Sequence, residues 1–250
     1  MTRARPRAPA ERRRWAVVTG ASRGLGAVVT RLLAGEGYDL ILVARESAPL
    51  AETAREAREF GGSVVQVAGD VATDRTRARV VEAVGRRSGL DLLVNNASEL
   101  GPSPLPPLAE MSLDALEAVY RVNVVAPVAL VQGLLPALRR RKGLVVNISS
   151  DAAVGGYPGW GAYGASKAAL DLVSLTLAHE LTEAGVSVVA VDPGDMRTRM
   201  HQSAYPGEDI SDRPLPEVTL PFWAWLLGRP ASEVNGHRFR AQADHWGPDP

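Results

Sequence analysis

Short runs of β-branched and aliphatic residues recur along this chain of 250 residues, separated by longer stretches whose apolar positions follow a helical period. Seven runs read as strands: Trp15–Thr19, Asp39–Ala44, 63–68, 90–95, 143–149, Ser187–Asp192 and 236–241. Most lack polar alternation, as expected of strands covered on both faces. Six stretches read as helices: Gly24–Gly35, 48–60, 75–87, Leu113–Arg141, 162–184 and 217–227. Ser47, Asp74 and Ser112 are their candidate N-caps. Regular alternation of strand and helix predicts an α/β fold, a doubly wound parallel sheet with helices on both faces. Such sheets bind ligands beyond the carboxyl ends of their strands. The proline-rich segments 101–107 and 200–216 follow strands there and are candidate substrate walls.

Composition narrows the class. With 46% hydrophobic and 22% charged residues the chain has the make-up of an ordinary globular protein. A formal net charge of zero gives no sign of a nucleic-acid or membrane surface. The absence of cysteine excludes disulfides, cysteine-ligated metals and thiol catalysis, and fits the cytoplasm. The length suits one domain, expected over 14–242. An arginine-rich arm, 1–13, precedes it and is expected to be a flexible, solvated terminus; a tail, 243–250, follows. The apolar run after Trp15 is too short for a signal-peptide core. The apolar stretch 122–138 contains Asn123, Gln132 and two prolines, and reads as a buried helix rather than a membrane span. No metal site is expected: His179-Glu180 opens like H-E-x-x-H, but Glu183 stands where the second histidine belongs.

Two clusters carry candidate chemistry. The first strand runs into Thr19-Gly20-Ala21-Ser22-Arg23-Gly24-Leu25-Gly26 and then into a helix. Glycines there let the backbone turn tightly and approach a pyrophosphate at the helix N-terminus. The spacing is G-x-x-x-G-x-G rather than the commoner G-x-G-x-x-G, and no Gly-Lys pair exists, which excludes an NTPase P-loop. The second cluster is Tyr163 and Lys167, four apart on a predicted helix and so on one face, with Ser150 thirteen residues upstream. An ammonium beside a phenol is expected to lower the phenol pKa and fit it for acid–base work. Lys167 is one of only two lysines, Lys142 being the other.

Together these segments resemble the short-chain dehydrogenase/reductase family in its compact form, over roughly residues 14–242. The matching elements are the glycines Gly20, Gly24 and Gly26, then Asn95-Asn96-Ala97-Ser98, where the family has Asn-Asn-Ala-Gly. Asn123, Ser150, Tyr163 and Lys167 match the catalytic tetrad, and Pro193, Gly194 and Thr198 the Pro-Gly-x-x-x-Thr element. Ser98 departs from the pattern and bears on local loop shape. The resemblance implies a Rossmann-type sheet of about seven strands and hydride transfer between a nicotinamide and a carbonyl or alcohol. Tyr163 would be the acid/base, Ser150 the hydrogen-bond donor to the substrate oxygen, and Lys167 the holder of the nicotinamide ribose. Asn123 would hold a relay water, and Thr198 would contact the cofactor. Ser22, Arg23, Leu25, Asn96 and Ala97 would line the cofactor, with Asp70 and Val71 at the adenine. Dimers or tetramers are implied, through helices 113–141 and 162–184.

The second strand ends Val43-Ala44-Arg45, with alanine where NAD-dependent relatives carry aspartate. Arg45, with Arg23 from the glycine loop, favours the 2′-phosphate of NADP(H) over NAD(H), and nearby Glu46 is the counterargument. Candidate substrate walls are Glu99, Leu100, Ala152, Tyr157, Trp160, Asp195, Met196, Met200 and Tyr205. Asp195 could instead cap the helix that follows, and Trp223 and Trp225 suit a core or interface. Two other classes stay open: a dinucleotide-binding regulatory protein without turnover, and a serine hydrolase using Ser166 in the incomplete G-x-S-x-G motif Gly164-Ala165-Ser166-Lys167-Ala168.

Overall fold

The computed structural model of the chain describes residues 13–247. The arginine-rich arm up to residue 12 and the last three residues of the tail lie outside the described residues. Seven parallel strands form one sheet: β1 (Trp15–Thr19), β2 (Asp39–Ala44), β3 (Val64–Ala68), β4 (Leu92–Asn95), β5 (Leu144–Ile148), β6 (Ser187–Asp192) and β7 (Arg238–Arg240). Their order is β3-β2-β1-β4-β5-β6-β7, so the winding reverses between β1 and β4. That reversal opens a crevice at the carboxyl ends of these two strands.

Neighbouring residues along each strand serve opposite faces. Ala16, Val18, Leu40, Leu42, Val94 and Val146 pack beneath α1 (Gly24–Gly35), α2 (Ser47–Arg58) and the later α9 (Leu220–Leu227). Val17, Ile41, Val43, Leu93, Val145 and Val188 pack beneath α3 (Asp74–Gly85), α5 (Ala126–Arg141) and α7 (Gly161–Glu180). Both faces being covered is the reason the strands read as unbroken apolar runs.

Several boundaries depart from the sequence reading. The stretch Leu113–Arg141 is α4 (Leu113–Tyr120), a π turn at Arg121–Val125 and then α5. Although long and apolar enough for a membrane span, it packs on the sheet through Leu130, Leu134 and Leu138. Thr73, not Asp74, caps α3 by accepting from Thr76 N–H at 3.3 Å, because Asp74 is already the first helical residue. Ser47 likewise opens α2 with Glu46 before it, whereas Ser112 caps α4 as expected. Two short helices add to the six read from the sequence: α6 (Ala152–Gly155), and α8 (Arg199–Ala204), the helix expected after Asp195, which takes up the start of the segment 200–216. Trp246, in the predicted tail, packs against Phe222 and Trp225, and its indole N–H donates to the Arg240 carbonyl at 3.2 Å.

Two buried amides face each other inside the sheet. Asn95 on β4 is in register with Asn147 on β5 and donates to its Oδ1 at 2.8 Å. Asn147 in turn donates to Ser174 Oγ on α7 at 2.8 Å.

Candidate active site

A cleft of about 930 Å³ runs along the carboxyl ends of the strands. At one end lies the glycine turn. Gly20 adopts φ +65°, and a Cβ there would sit 2.7 Å from Asn96 Nδ2. At Gly26 a Cβ would meet the Gly20 carbonyl at 2.2 Å, so only glycine lets α1 start this close to the strand. Asn96 pins the turn by donating to the carbonyls of Thr19 (2.9 Å) and Gly20 (3.2 Å). Arg23 is the N-cap of α1 and makes no side-chain cap bond, which leaves the first helical N–H groups facing the cleft as an anion site.

The floor near this turn is Ala44, at the end of β2, with Gly69, Asp70 and Val71 beyond β3. Asp70 accepts from Ala72 N–H through one carboxylate oxygen at 2.9 Å. At the rim stand Arg23, Arg45 and Arg199. Glu46 does bear on them: its carboxylate is 2.7 Å from Arg23 and 3.9 Å from Arg199. A hydrogen bond from Arg23 holds its pKa below the usual carboxylate range. Arg45 instead pairs with Glu99 at 3.2 Å. Arg199, which the sequence reading missed, arrives on α8 from the far side of the cleft.

The other end holds Ser150, Tyr163 and Lys167. Tyr163 and Lys167 lie one turn apart on α7, both buried. Trp160 packs edge-on against the Tyr163 ring, with centroids 5.7 Å apart. Ser150 follows β5. Its Oγ donates to Asp151 at 3.0 Å and accepts from Ala152 N–H at 3.2 Å. Its carbonyl accepts from Arg238 Nη2 at 2.8 Å, and the same guanidinium pairs with Asp171 at 2.8 Å. The hydroxyls of Ser98 and Ser150 are the polar groups that pull the Tyr163 pKa down.

The expected acidification of Tyr163 does not occur here. Burial raises its pKa to about 12, although the two serine hydroxyls pull the other way. Lys167 aims its ammonium elsewhere, donating to the Ile148 carbonyl at 2.7 Å, and burial lowers its own pKa to about 8. A chain with an open cleft thus keeps its phenol protonated.

Asn123 sits on the π turn, fully buried. Its Oδ1 accepts from Glu99 N–H (2.8 Å) and Ser98 Oγ (3.1 Å), and its Nδ2 donates to the Glu99 carbonyl (2.9 Å) and Ser166 Oγ (2.9 Å). The amide's two donor and two acceptor positions are thus all taken, which leaves none for the relay water expected of it. Ser166 is locked inside α7, donating to the Tyr163 carbonyl at 2.6 Å, with no nearby base and no nucleophile turn. That geometry removes the hydrolase reading.

Of the residues expected at the cofactor, Gly20, Ser22, Arg23, Gly24, Leu25, Arg45, Asp70, Val71, Asn96, Tyr163, Lys167, Pro193, Gly194 and Thr198 line the cleft. Gly26, Ala97 and Asn123 stand behind its wall and shape it. Thr198 has a second role, accepting from His201 N–H at 3.1 Å. It, rather than Asp195, caps α8, because α8 begins at Arg199. Of the expected substrate walls, Glu99, Leu100, Trp160, Asp195, Met196 and Met200 line the cleft, whereas Ala152, Tyr157 and Tyr205 do not. Trp223 is wholly buried and belongs to the core. Among the described residues no cluster suits a metal ion.

A parallel sheet of this order, a glycine turn at its switch point and a buried Tyr–Lys pair define a nucleotide-dependent oxidoreductase architecture. The short chain dehydrogenase family model matches residues 14–209, and the chain belongs to that family. It is 37% identical to an oxidoreductase of Saccharomyces cerevisiae over 74% of this chain and 71% of the relative. A short chain dehydrogenase from Shigella flexneri 2a, solved in complex with NADP, superposes with a TM-score of 0.85 at 30% identity, covering 94% of this chain and 100% of that one. The L-sorbose reductase of Gluconobacter frateurii, solved with NADPH and L-sorbose, does so with a TM-score of 0.81 at 30% identity, covering 91% and 94%.

Proposed function

We propose that the protein is a cytoplasmic, NADP(H)-dependent oxidoreductase that moves a hydride between nicotinamide and a carbonyl or secondary alcohol, with Tyr163 as general acid/base. The observation that carries this reading is the placement of Ser150, Tyr163 and Lys167 on one wall of a cleft whose other end is the glycine turn. The bound dinucleotide would supply the hydride chemistry, and the protein supplies position and proton control.

The residues fit the group. The close approach of Gly20 and Gly26, with the uncapped start of α1, suits a pyrophosphate. Ala44 offers no carboxylate to a ribose 2′-hydroxyl, while Arg23, Arg45 and Arg199 surround the place a 2′-phosphate would take. The NADP and NADPH complexes of the neighbours support the same choice. Glu46 favours the opposite outcome and Glu99 draws on Arg45, but two carboxylates face three guanidinium groups.

In reduction, Tyr163 donates its proton to the oxygen that gains charge. Ser150 turns from Asp151 to donate a second hydrogen bond to that oxygen. Lys167 would leave the Ile148 carbonyl or share it to hold the nicotinamide ribose, and its charge would then stabilise the phenolate that Tyr163 becomes on giving up its proton. Asp192, Asp151 and burial keep the phenol protonated until then. We further propose a homo-oligomer, supported by the exposed apolar side chains Leu113, Val125, Leu172 and Leu175 on α4, the π turn and α7.

The test is turnover with NADPH and with NADH against a panel of ketoses, diketones and simple ketones. NADPH oxidation that needs a carbonyl supports the reading. Tight NADPH binding with no turnover across the panel would favour a regulatory binding protein.

A further inference from the structure

We infer that Arg238, on the edge strand β7, is a positioning residue that holds Ser150 against the helix carrying Tyr163 and Lys167. The inference rests on Ser150 being the hydrogen-bond donor to the substrate oxygen in the proposed reaction.

Side chains of β7 alternate between the two faces of the sheet. Phe239 enters the core beneath α9, so Arg238 stands on the opposite face, that of α7. Its planar fork meets three elements there. Nε donates to Asp171 Oδ2 on α7 at 2.8 Å, and Nη2 donates to the Ser150 carbonyl at 2.8 Å. Asp192 Oδ2, at the end of β6, lies 3.5 Å from Nη2. Asp171 follows Lys167 by one turn and Tyr163 by two, on the same face of α7. The guanidinium therefore ties the strand end that carries Ser150 to the helix face that carries the phenol and the ammonium.

The other bond to the Ser150 carbonyl is local. Ala153 N–H donates to it at 3.1 Å, which closes the turn into α6 but moves with that turn. Arg238 takes the second lone pair and comes from 88 positions along the chain. The side chains of Asp171 and Asp192 are 17% and 5% exposed, so each needs a cation beside it. A lysine offers one point charge and no fixed plane, and cannot hold Asp171 and Ser150 in this arrangement. Asp192 keeps its other oxygen on Gly194 N–H at 3.0 Å, so the Pro193-Gly194 turn of the cleft is held without Arg238. Arg238 itself does not line the cleft and acts through Ser150.

The test uses the full-length protein carrying ¹³C-carbonyl serine and ¹⁵N aspartate, in which coupled signals arise from the Ser–Asp pairs Ser150-Asp151 and Ser211-Asp212. Ser211→Ala removes the second and assigns the first. In Arg238→Ala and in Arg238→Lys the Ser150 carbonyl resonance should move upfield, since one of its two hydrogen bonds is lost. With butane-2,3-dione, L-sorbose or another carbonyl that is turned over, both variants should lose about tenfold in kcat and keep the wild-type KM for NADPH. The Arg238 side chain is 29% exposed, so methylguanidinium can reach the space left by Arg238→Ala. It should restore part of kcat there and none in Arg238→Lys. A Ser150 carbonyl that stays in place in both variants overturns the inference, and so does a lowered melting temperature with wild-type kcat per folded enzyme. A wild type that turns over no carbonyl overturns the proposed function instead, and the carbonyl resonance still decides whether Arg238 holds Ser150.

Discussion

The Lys167 ammonium lies 5.4 Å from the centre of the Tyr163 ring and spends its hydrogen bond on the Ile148 carbonyl at 2.7 Å. The two residues share a helix face, as their spacing requires, yet the charge is not presented to the phenol oxygen. Proximity along a helix fixes which side chains are neighbours, and the strand end opposite decides where the ammonium points. Burial therefore sets the protonation of the phenol, without help from the ammonium.

Tyr163→Phe removes the acid but keeps the ring that packs on Trp160. NADPH affinity, measured by fluorescence titration, should stay within about threefold, while kcat falls by roughly a thousandfold. Wild-type turnover would sink the role given to Tyr163.

Cofactor choice depends on the balance among Arg23, Arg45, Arg199 and Glu46. Arg23→Ala should cut the ratio of kcat/KM for NADPH over NADH by about tenfold, the effect of one charge-assisted hydrogen bond. Glu46→Gln should raise the same ratio, because Arg23 is then released toward the phosphate. Wild-type preference for NADH would contradict the reading of this rim.

Burial of Lys167 has a consequence for stability. Its pKa is about 8 folded and near the free-lysine value of 10.5 unfolded, so between these values the unfolded chain binds more protons. Stability from this group should rise from pH 8 to pH 10.5, by about 3 kcal/mol, and be flat below pH 8. Denaturant unfolding of the wild type and of Lys167→Met across that range should show the slope in the first and not the second. A stability that falls through this window relative to Lys167→Met would refute the account.

Gly26→Ala should abolish NADPH binding and lower the melting temperature, because the new Cβ would overlap the Gly20 carbonyl, a backbone atom with no room to move. Gly85→Ala, where a Cβ meets nothing within 4 Å, should be neutral or slightly stabilising. Equal behaviour of the two variants would remove the steric argument.

The proposed oligomer is checked by light scattering at micromolar concentration. Leu172→Glu places a charge on the exposed apolar face of α7 and should yield monomers with the fold intact by circular dichroism. A wild-type monomer would refute the proposal.

Much of this was readable from the residues. Strands buried on both faces announce themselves as apolar runs, and the glycines Gly20 and Gly26 are demanded by backbone contacts that no other residue tolerates. The tetrad positions came from the family resemblance, which the spacing of Ser150, Tyr163 and Lys167 supports. Side-chain direction was not readable. Whether Lys167 faced Tyr163 or Ile148, and whether Glu46 faced Arg23, depended on elements far apart in sequence. The π turn at Asn123 was hidden because an inserted helical residue leaves the apolar pattern nearly unchanged. Ser98 was read as a change of loop shape because its partner, Asn123, comes to it only in the folded chain.

The paired amides of Asn95 and Asn147 bear on how the sheet assembles. Parallel strands of aliphatic side chains can align in several offsets at similar gain, since one valine resembles the next. Here a slip of one residue would turn each amide onto the wrong face, away from its partner and from Ser174, leaving polar groups stranded in hydrocarbon. Such a penalty discriminates against mispaired chains more than it strengthens the correct one. It acts at the centre of the sheet, just beneath the strand ends that carry Asn96 and Ser150, so alignment errors there cannot pass unnoticed into the catalytic wall.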